Sequence, residues 1–502
     1  MKNLTLRVGF YSIIILASII LIEGCAVSPQ LVEQERINKL KAKIDERFND
    51  SLFASAHWGA LIKSLKTGET WYSLNSSKMF MPASNEKILT GASALLKLGP
   101  EFTFDTYLCY RGNIVDSALD GDLVVFGNGD PTLYDRFFKD PRDLFNSWAN
   151  MLLERGIKKI TGDIIGDDEA FGSDTLGFGW SFDGLDSWYS AEVGALQLNE
   201  NYIDLKIIPP KMESDSVKII PNLPSKFYKI INNMTVEDTG RTQINFTREL
   251  GTNNIIFTGL IKRGSREVMV SPTLTYPTQF YVTVLKEVFE NRGIKVEGKP
   301  VSCRVLPEWN HKPEDFQLID DHKSAPLKDI LTGMLKRSQN LYAETLVRTL
   351  GWKETGLGSF KNGKKIVEEE LESFGIKPGS YRYMDGSGLS RYDYVSPEQL
   401  TAVLTGMWKG KEHDIWYNAL PIAGTDGTLS NRMRGTAAAG NVHAKTGTIS
   451  NVRSLSGYVT TADGEPLVFS FIVNGHLQTA KETEDLTDSV LEMLAGFTSK
   501  GN

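Results

Sequence analysis

The sequence predicts an α+β fold in which strands from both ends of the chain share one sheet and helices lie between them. Residues 57–75 have the pattern of two strands around a glycine turn. Near the other end, residues 453–473 have the pattern of a hairpin that turns at Asp463-Gly464. Helical spacing fills the runs at about 326–350, 362–374, 397–408 and 481–496. Strands from the two termini with helices between them form an α+β layer arrangement.

The first residues differ from the rest of the chain. Basic residues precede an apolar run from Val8 to Ile22, which is the layout of a signal peptide over residues 1–24. The run is about 15 residues long, shorter than the roughly 20 needed to cross a bilayer. It ends at Glu23-Gly24-Cys25, which resembles a lipobox, in which Cys25 is diacylated and becomes the mature N-terminus. We therefore expect an exported, periplasmic or cell-envelope protein, lipid-anchored to a membrane, with residues 25–38 as a tether. An ordinary cleaved signal or an uncleaved anchor is the alternative.

Size, charge and cysteine content set further limits. A chain of 502 residues exceeds what one hydrophobic core supports, so two or three domains are expected. Its 55 basic and 62 acidic residues make it mildly acidic, which disfavours a nucleic-acid partner. Apart from Cys25, only Cys109 and Cys303 remain, too few for a disulfide framework and not spaced for a metal site. We interpret these two residues as buried thiols; a single disulfide bridge between them is the alternative hypothesis.

The first hairpin is followed by a candidate nucleophile at the start of a helix. Ser84 precedes a run of helical spacing that stops at Gly99-Pro100. A serine hydroxyl needs a base to take its proton, and Lys87, at i+3, shares the helix face of Ser84. The helix N-terminus also favours developing negative charge. Ser-x-x-Lys alone is not specific, because such a pair is expected by chance in a chain of this length.

In residues 111–311 the sequence pattern changes to that of short strands and glycine turns. A recurring unit, in which a helix leads into Arg-Gly-Ile-Lys and a strand, occurs at residues 152–158 and again at 289–295. These units predict an inserted α/β domain formed by residues 111–199 and 271–311, which encloses a β-rich domain at residues 200–270.

Two further motifs follow the insertion. Ser338-Gln339-Asn340 lies on the helix-like run Ile330 to Leu350, and Lys445-Thr446-Gly447-Thr448 opens a strand-like run. Similar triplets at Lys66-Thr67-Gly68 and Ser73-Leu74-Asn75 precede Ser84, and the first is a hairpin turn where these residue types are common. We reject these two on order and context.

The three motifs, in this order, resemble those of the penicillin-recognising serine acyltransferases. About 250 residues separate Lys87 from Ser338, but only about 107 separate Ser338 from Lys445. This spacing resembles that of the three-domain low-molecular-mass penicillin-binding proteins, the D-Ala-D-Ala carboxypeptidase/endopeptidase family. The resemblance covers about residues 45–495, with matching phrases at residues 82–85, 127–132, 162–164, 385–391, 424–428 and 444–448. It implies a serine β-lactamase/transpeptidase-like catalytic domain, an antiparallel sheet with helices, formed by residues 39–110 and 312–498.

The resemblance also implies roles for individual residues. Ser84 would attack the carbonyl, Lys87 would be its general base, and Ser338 would relay a proton to the leaving group. The implied substrate-binding residues are Asn340 for the substrate amide and Lys445, Thr446, Gly447 and Thr448 around the terminal carboxylate. The backbone N–H groups of Ser84 and Thr448 would form the oxyanion hole. Burial beside Lys445 would lower the pKa of Lys87.

The implied ligands are peptidoglycan stem peptides and β-lactams, with no metal and no cofactor. The six histidines form neither a triad pattern nor a metal-ligand pair, and His443 is expected to have a structural role. The glycine-rich stretch Asp385 to Arg391 is either a loop shaped by backbone demands or a wall of the cleft. Two alternative functions remain open: a β-lactamase, and a non-catalytic cell-wall-binding lipoprotein.

Overall fold

The computed structural model describes residues 29–498. Its α-helices are α1 (Pro29–Phe48), α2 (Glu86–Leu98), α3 (Asp143–Glu154), α4 (Pro277–Asn291), α5 (Leu327–Arg337), α6 (Asn340–Thr355), α7 (Phe360–Ser373), α8 (Pro397–Lys409), α9 (His413–Ala419) and α10 (Ala480–Ala495). Its strands are β1 (His57–Ser64), β2 (Thr70–Leu74), β3 (Asp105–Val115), β4 (Ala118–Gly127), β5 (Lys159–Ile160), β6 (Ile164–Asp167), β7 (Leu205–Ile208), β8 (Lys218–Pro221), β9 (Lys229–Asn232), β10 (Thr235–Glu237), β11 (Gln243–Arg248), β12 (Asn254–Lys262), β13 (Val268–Val270), β14 (Lys295–Val296), β15 (Pro300–Ser302), β16 (Gln317–Lys323), β17 (His443–Ile449), β18 (Val452–Thr460) and β19 (Pro466–Asn474).

One antiparallel sheet joins the two ends of the chain, as the sequence predicts. Its order is β17-β18-β19-β1-β2, so both predicted hairpins are present and meet at the β19–β1 pair. Neighbouring residues of β19 face different cores: Ile472 packs with α2 and α5–α8, whereas Phe471 packs with α1 and α10. Because both faces of the sheet are covered, β19 is an almost continuous apolar run and does not alternate.

The helical run predicted at 326–350 is two helices. Helix α5 ends at Arg337, Ser338 adopts a left-handed conformation with φ of 60°, and α6 begins at Asn340. A residue in this conformation ends an α-helix, so the prediction of one continuous helix through Ser338 is wrong. The second motif therefore lies in a turn between two helices.

The inserted region contains its own sheet, in the order β14-β5-β4-β3-β16, with β6 and β15 attached through β4. Both Arg-Gly-Ile-Lys units form a helix followed by a strand, and those strands, β5 and β14, pair in parallel. Strands β3 and β16 also pair with each other, from Tyr110 opposite Gln317 to Asp105 opposite Lys323. The inserted sheet thus extends past the expected limits at residues 111 and 311, because these two strands continue its ladder.

The β-rich stretch predicted at residues 200–270 contains two small sheets. Strands β7, β8 and β13 form one, and β9 to β12 form the other. Their apolar side chains share a core with α3 and α4 of the inserted region. In this core Phe145 of α3 packs edge-on against Tyr281 of α4, with 4.8 Å between the ring centroids. This shared core ties the nested strands to the α/β part around them.

Both cysteines of the inserted region are buried free thiols that lie in one small apolar cluster. The bridge between Cys109 and Cys303 is therefore not formed, and the interpretation as two buried thiols is correct. Burial raises the pKa of the thiol of Cys109 to about 11 and that of Cys303 to about 12.

The predicted signal peptide and Cys25 lie outside the described residues. The predicted tether at 25–38 is described from Pro29 onward, where it is the first half of α1. Residues 33–35 of this helix are exposed, whereas Ile37 and, beyond the tether, Leu40 are buried in the core that contains Phe471 of β19. The helix therefore packs on the catalytic part from about residue 37 onward. None of the helices within residues 29–498 combines the length and apolarity needed to cross a membrane.

Candidate active site

Ser84 lies on a single 3₁₀ turn, Ala83–Asn85, directly before α2. It is thus at the leading end of the helix, as predicted, although regular helix begins only at Glu86. A Cβ on Gly447 would lie 3.0 Å from the backbone nitrogen of Ser84, and one on Gly388 would lie 1.8 Å from the carbonyl oxygen of Ala83. These two glycines let β17 and the loop that contains Gly388 approach the backbone of the turn that carries Ser84.

The amine of Lys87 is fully buried and makes three hydrogen bonds. Its Nζ donates to Ser84 Oγ at 2.9 Å, to Asn340 Oδ1 at 2.6 Å and to the carbonyl oxygen of Ser387 at 2.7 Å. The predicted i, i+3 contact with Ser84 is therefore formed. One nitrogen therefore joins the first motif, the second motif and the glycine-rich loop at residues 385–391.

Burial lowers the pKa of Lys87 to about 7, against partial opposition from nearby carboxylates, of which Asp385 is the strongest. The predicted direction is confirmed, but its main cause is burial. The repulsion between the two lysines acts instead on Lys445, whose pKa is lowered well below its usual range by burial and then by the charge of Lys87. A lysine with a pKa near 7 is neutral in a substantial fraction of molecules at physiological pH, as a general base must be.

The second motif faces these lysines from the turn between α5 and α6. Ser338 Oγ accepts a hydrogen bond from Lys445 Nζ at 2.9 Å. The side-chain amide of Asn340 makes two hydrogen bonds. Its oxygen accepts from Lys87 Nζ, and its nitrogen donates to the carbonyl oxygen of Tyr189 at 2.7 Å. Tyr189 belongs to the inserted region, which therefore contacts the site directly.

The third motif lies on β17 at the edge of the sheet. Lys445 is fully buried, whereas the side chain of Thr448 is exposed to the cleft. Asn85 Nδ2 donates to the carbonyl oxygen of Lys445 at 2.8 Å, which fixes this strand to the nucleophile turn. Thr446 Oγ1 forms a 2.7 Å hydrogen bond with Thr428 Oγ1. The structure thus brings all three predicted motifs together.

An open cleft of about 1060 Å³ exposes Ser84, Ser338, Asn340, Thr446 and Thr448. The rest of its lining comes from the inserted region within residues 181–190, the loop at 388–391, the end of β17 and start of β18 at 449–453, the residues after β19 at 476–478, and the single residues Arg337 and Thr428. Within residues 29–498, no group of three or more histidine, cysteine or acidic side chains is arranged to hold a metal ion.

Both interpretations of the glycine-rich stretch Asp385 to Arg391 hold. The buried carboxylate of Asp385 accepts hydrogen bonds from the backbone N–H groups of Ser387, Gly388 and Ser390, and from Trp180 Nε1. This shaping presents the carbonyl oxygen of Ser387 to Lys87, while Gly388, Leu389 and Arg391 line the cleft. The loop is therefore shaped by its backbone and is also a wall of the site.

His443 has the structural position that its sequence context suggests. Its ring stacks on Tyr417 with 3.8 Å between centroids, and Nδ1 lies 3.1 Å from the carbonyl oxygen of Tyr417. Burial lowers the pKa of His443. It lies two residues before Lys445 on β17 and does not line the cleft.

Several residues around the site were not identified from the sequence. Ser387 and Asp385 fall within a phrase that matched the family pattern, so a signal for them existed. Tyr189 and Trp180 gave no local signal, because they reach the site only through contacts between distant parts of the chain.

Comparison with known proteins gives a consistent family. The family model of D-Ala-D-Ala carboxypeptidase 3 (S13) matches residues 40–495. A D-alanyl-D-alanine carboxypeptidase from an Actinomadura species is 32% identical over 462 residues, covering 89% of this chain and 84% of that protein. The D-alanyl-D-alanine carboxypeptidase DacB of Haemophilus influenzae is 30% identical over 425 residues, covering 83% and 85%.

The fold agrees with a solved structure as well. The crystal structure of penicillin binding protein 4 (dacB) from Haemophilus influenzae superimposes with a TM-score of 0.77 at 27% identity, covering 91% of this chain and 99% of that one. The same protein has also been solved in complex with a novel β-lactam, at a TM-score of 0.71 and 27% identity.

Proposed function

The chain belongs to the D-Ala-D-Ala carboxypeptidase 3 (S13) family of serine peptidases, and we propose that Ser84, Lys87 and Ser338 carry its reaction through an acyl-enzyme. The observation that carries this assignment is the 2.9 Å hydrogen bond between Lys87 Nζ and Ser84 Oγ in a site where burial brings the pKa of Lys87 to about 7. A nucleophile with a base in hydrogen-bond reach is what acyl transfer by a serine requires.

Acylation begins when neutral Lys87 takes the Ser84 proton as Oγ attacks the carbonyl carbon of the penultimate D-Ala. The backbone N–H groups of Ser84 and Thr448 would stabilise the oxyanion, and the fit of Gly447 against the Ser84 nitrogen supports this pairing. The carbon–nitrogen bond then breaks, and Ser338, which is bonded to Lys445, relays to the departing amine the proton that Lys87 took from Ser84, so Lys87 is neutral again. The products are an ester on Ser84 and free D-Ala.

Deacylation restores the enzyme. Water, losing its proton to Lys87, attacks the ester carbonyl, Ser84 Oγ leaves and is reprotonated, and the shortened stem peptide departs as a carboxylate. A β-lactam would follow the same first step, with its ring nitrogen as a leaving group that stays attached to the acyl group.

Substrate binding would use the second and third motifs. Asn340 lines the cleft together with Thr446 and Thr448 of β17, and Gly447 lies between the two threonines on that strand. A substrate carboxylate placed near Lys445 would favour the protonated form of that lysine, offsetting the burial that lowers its pKa. Carboxypeptidase and endopeptidase cleavage share this chemistry, because they differ only in what is attached to the leaving amine.

The cellular location is a further part of the proposal. The lipobox-like end of the leader at Cys25, and a substrate class that lies outside the cytoplasm, support an exported protein of the cell envelope with an N-terminal lipid. Helix α1 begins at Pro29, so such an anchor would hold the catalytic part close to the membrane. If so, Cys25→Ser releases the protein from the membrane fraction and abolishes labelling by a radioactive fatty acid; retention and labelling of this variant would contradict the anchor.

Intact mass after incubation with benzylpenicillin tests the catalytic assignment, using the protein that lacks residues 1–25. A single stable adduct that maps to Ser84 and is absent from Ser84→Ala is the expected result. Rapid loss of penicillin without an adduct would favour a β-lactamase. An unmodified protein with penicillin intact would favour a non-catalytic wall-binding protein.

A further inference from the structure

The inserted region places an unusual turn, Asn199–Asn201, against the second catalytic motif. Three consecutive non-glycine residues there have positive φ angles of 53°, 51° and 57°. Asparagine tolerates this conformation through local hydrogen bonds, but for an ordinary side chain such as that of Glu200 it is strained. Strained backbone of this kind persists only where the surroundings determine it, and it clusters at functional sites.

Hydrogen bonds from neighbouring segments hold the turn in place. The backbone N–H of Asn199 donates to the carbonyl oxygen of Leu133 at 2.8 Å, and Asn222 Nδ2 donates to Asn199 Oδ1 at 2.8 Å. Asn201 Nδ2 donates to the carbonyl oxygen of Glu192 at 2.8 Å. Since both asparagines are held by the inserted region, the strain serves to direct the residue between them.

That residue, Glu200, is buried and its carboxylate is saturated with donors. Oε1 accepts from Arg136 Nε at 2.9 Å and from the Tyr342 hydroxyl at 2.7 Å. Oε2 accepts from Arg136 Nη2 at 3.2 Å, from the Tyr202 hydroxyl at 2.7 Å and from Gln339 Nε2. Arg136 and Tyr202 belong to the inserted region, whereas Tyr342 and Gln339 belong to the catalytic part.

Gln339 is the middle residue of the second motif. Its side chain is buried with 1% exposure, while Ser338 and Asn340 on either side point to the lysines and the cleft. The turn that carries them is itself in a left-handed conformation at Ser338, so it needs an external contact to fix it. The bond from Gln339 to Glu200 supplies that contact.

We infer that Glu200 is a positioning residue for the peptidase reaction: it fixes Gln339 and through it the orientation of Ser338 and Asn340. The inference rests on the roles proposed above for those two residues. It makes the inserted region a working part of the catalytic machinery, in addition to any contact that region makes with wall polymer.

A double-mutant cycle in the protein that lacks residues 1–25 separates this role from ordinary stabilisation. The variants are Glu200→Gln, Gln339→Ala and the two combined, and the readout is the second-order rate constant of acylation by benzylpenicillin. Glu200→Gln replaces one acceptor oxygen with a donor that faces Gln339, so acylation falls by about 30-fold or more. Because both residues act through one contact, the combined variant is no more than about twofold slower than Gln339→Ala alone.

Asp168→Asn is the matched control. Asp168 is also a buried carboxylate of the inserted region, bonded to Thr278 and Arg304 at 2.5 and 2.7 Å, but these partners do not touch the motifs. We expect Asp168→Asn to lower the melting temperature and to leave the acylation rate constant within about twofold of the wild-type value. Should Glu200→Gln fail to fold, Tyr342→Phe, which removes a single hydrogen bond to the same carboxylate, enters the cycle in its place with an expected loss of about three- to tenfold.

Two outcomes overturn the inference: acylation within about twofold of wild type when the Glu200 contacts are removed, or losses that multiply in the combined variant. The wild-type protein and Ser84→Ala, measured alongside, keep the proposed function separate. If wild type is acylated at Ser84 while the Glu200 variants react normally, only the positioning role fails. If wild type is not acylated, the proposed function itself fails.

Discussion

The buried amine of Lys87 makes the rate of acylation depend on pH. A lysine with its ordinary pKa of 10.5 would be neutral in about one molecule in 3,000 at pH 7, whereas a pKa of about 7 leaves about half of the molecules neutral. Protonated Lys87 cannot accept the Ser84 proton. The acylation rate constant is therefore expected to rise about tenfold per pH unit below pH 6, to bend near pH 7 and to level off above pH 8.

The assay is the second-order rate constant of acylation by benzylpenicillin, measured by intact mass from pH 5 to 9. Asn340→Asp places a carboxylate oxygen where an amide oxygen lies 2.6 Å from Lys87 Nζ, so it raises the lysine pKa by about 1–3 units and moves the acidic limb to higher pH. His443→Gln is the control, because this nearby buried histidine does not contact Lys87 and its removal leaves the limb in place. A rate that is flat across this range, or a limb that disappears in His443→Gln, would refute Lys87 as the base.

Three further predictions concern the surroundings of the site. In Gly447→Ala the added Cβ would lie 2.1 Å from Ser454 Oγ and 2.7 Å from the Pro82 carbonyl oxygen, so acylation measured by intact mass falls about 100-fold or more; an unchanged rate would show that β17 can shift freely. Asp385→Asn leaves about two of four buried donors without an acceptor, at about 1–3 kcal/mol each, so the free energy of unfolding in urea falls by about 2–6 kcal/mol; a smaller fall would show that the loop rearranges. Leu285→Ala, in the core of the inserted region, lowers that free energy by about 2–5 kcal/mol but leaves acylation of the folded protein within about threefold; a larger loss of rate would contradict this separation of core and site.

Much of the fold and the centre of the site could be predicted because their signals are local. Ser84 and Lys87 share one helix face at i, i+3, so their contact follows from helix geometry. The two hairpins carry their own turn residues, and Lys445 lies on a strand that is recognisable from its own residues. The order and spacing of the three motifs resemble those of a known family, and that resemblance implied that they meet.

The remaining features depend on contacts between distant residues. Apolar periodicity continues on both sides of Ser338, so nothing in the local sequence marks the break between α5 and α6. Gln339, in the turn at this break, contacts Glu200, which is about 140 residues earlier in the chain. Tyr189, which holds Asn340, reaches it across a similar separation. Neither contact leaves a periodic or compositional trace in a single sequence.

The pairing of β1 with β19 has a consequence for the order in which the protein becomes competent. About 400 residues separate Ser64 from its partner Leu467, so closing this sheet carries a large entropic cost and must await the last hairpin. The inserted region has its own sheet and core, which require nothing from the last 170 or so residues. A nascent polypeptide already contains Ser84 and Lys87 but lacks β17, and with it Lys445 and the surface that would hold a peptide carboxylate. If Lys445 has the role proposed for it, translation products that end before β17 are expected to be inactive, and hydrolysis requires that strands β17 to β19 have been made.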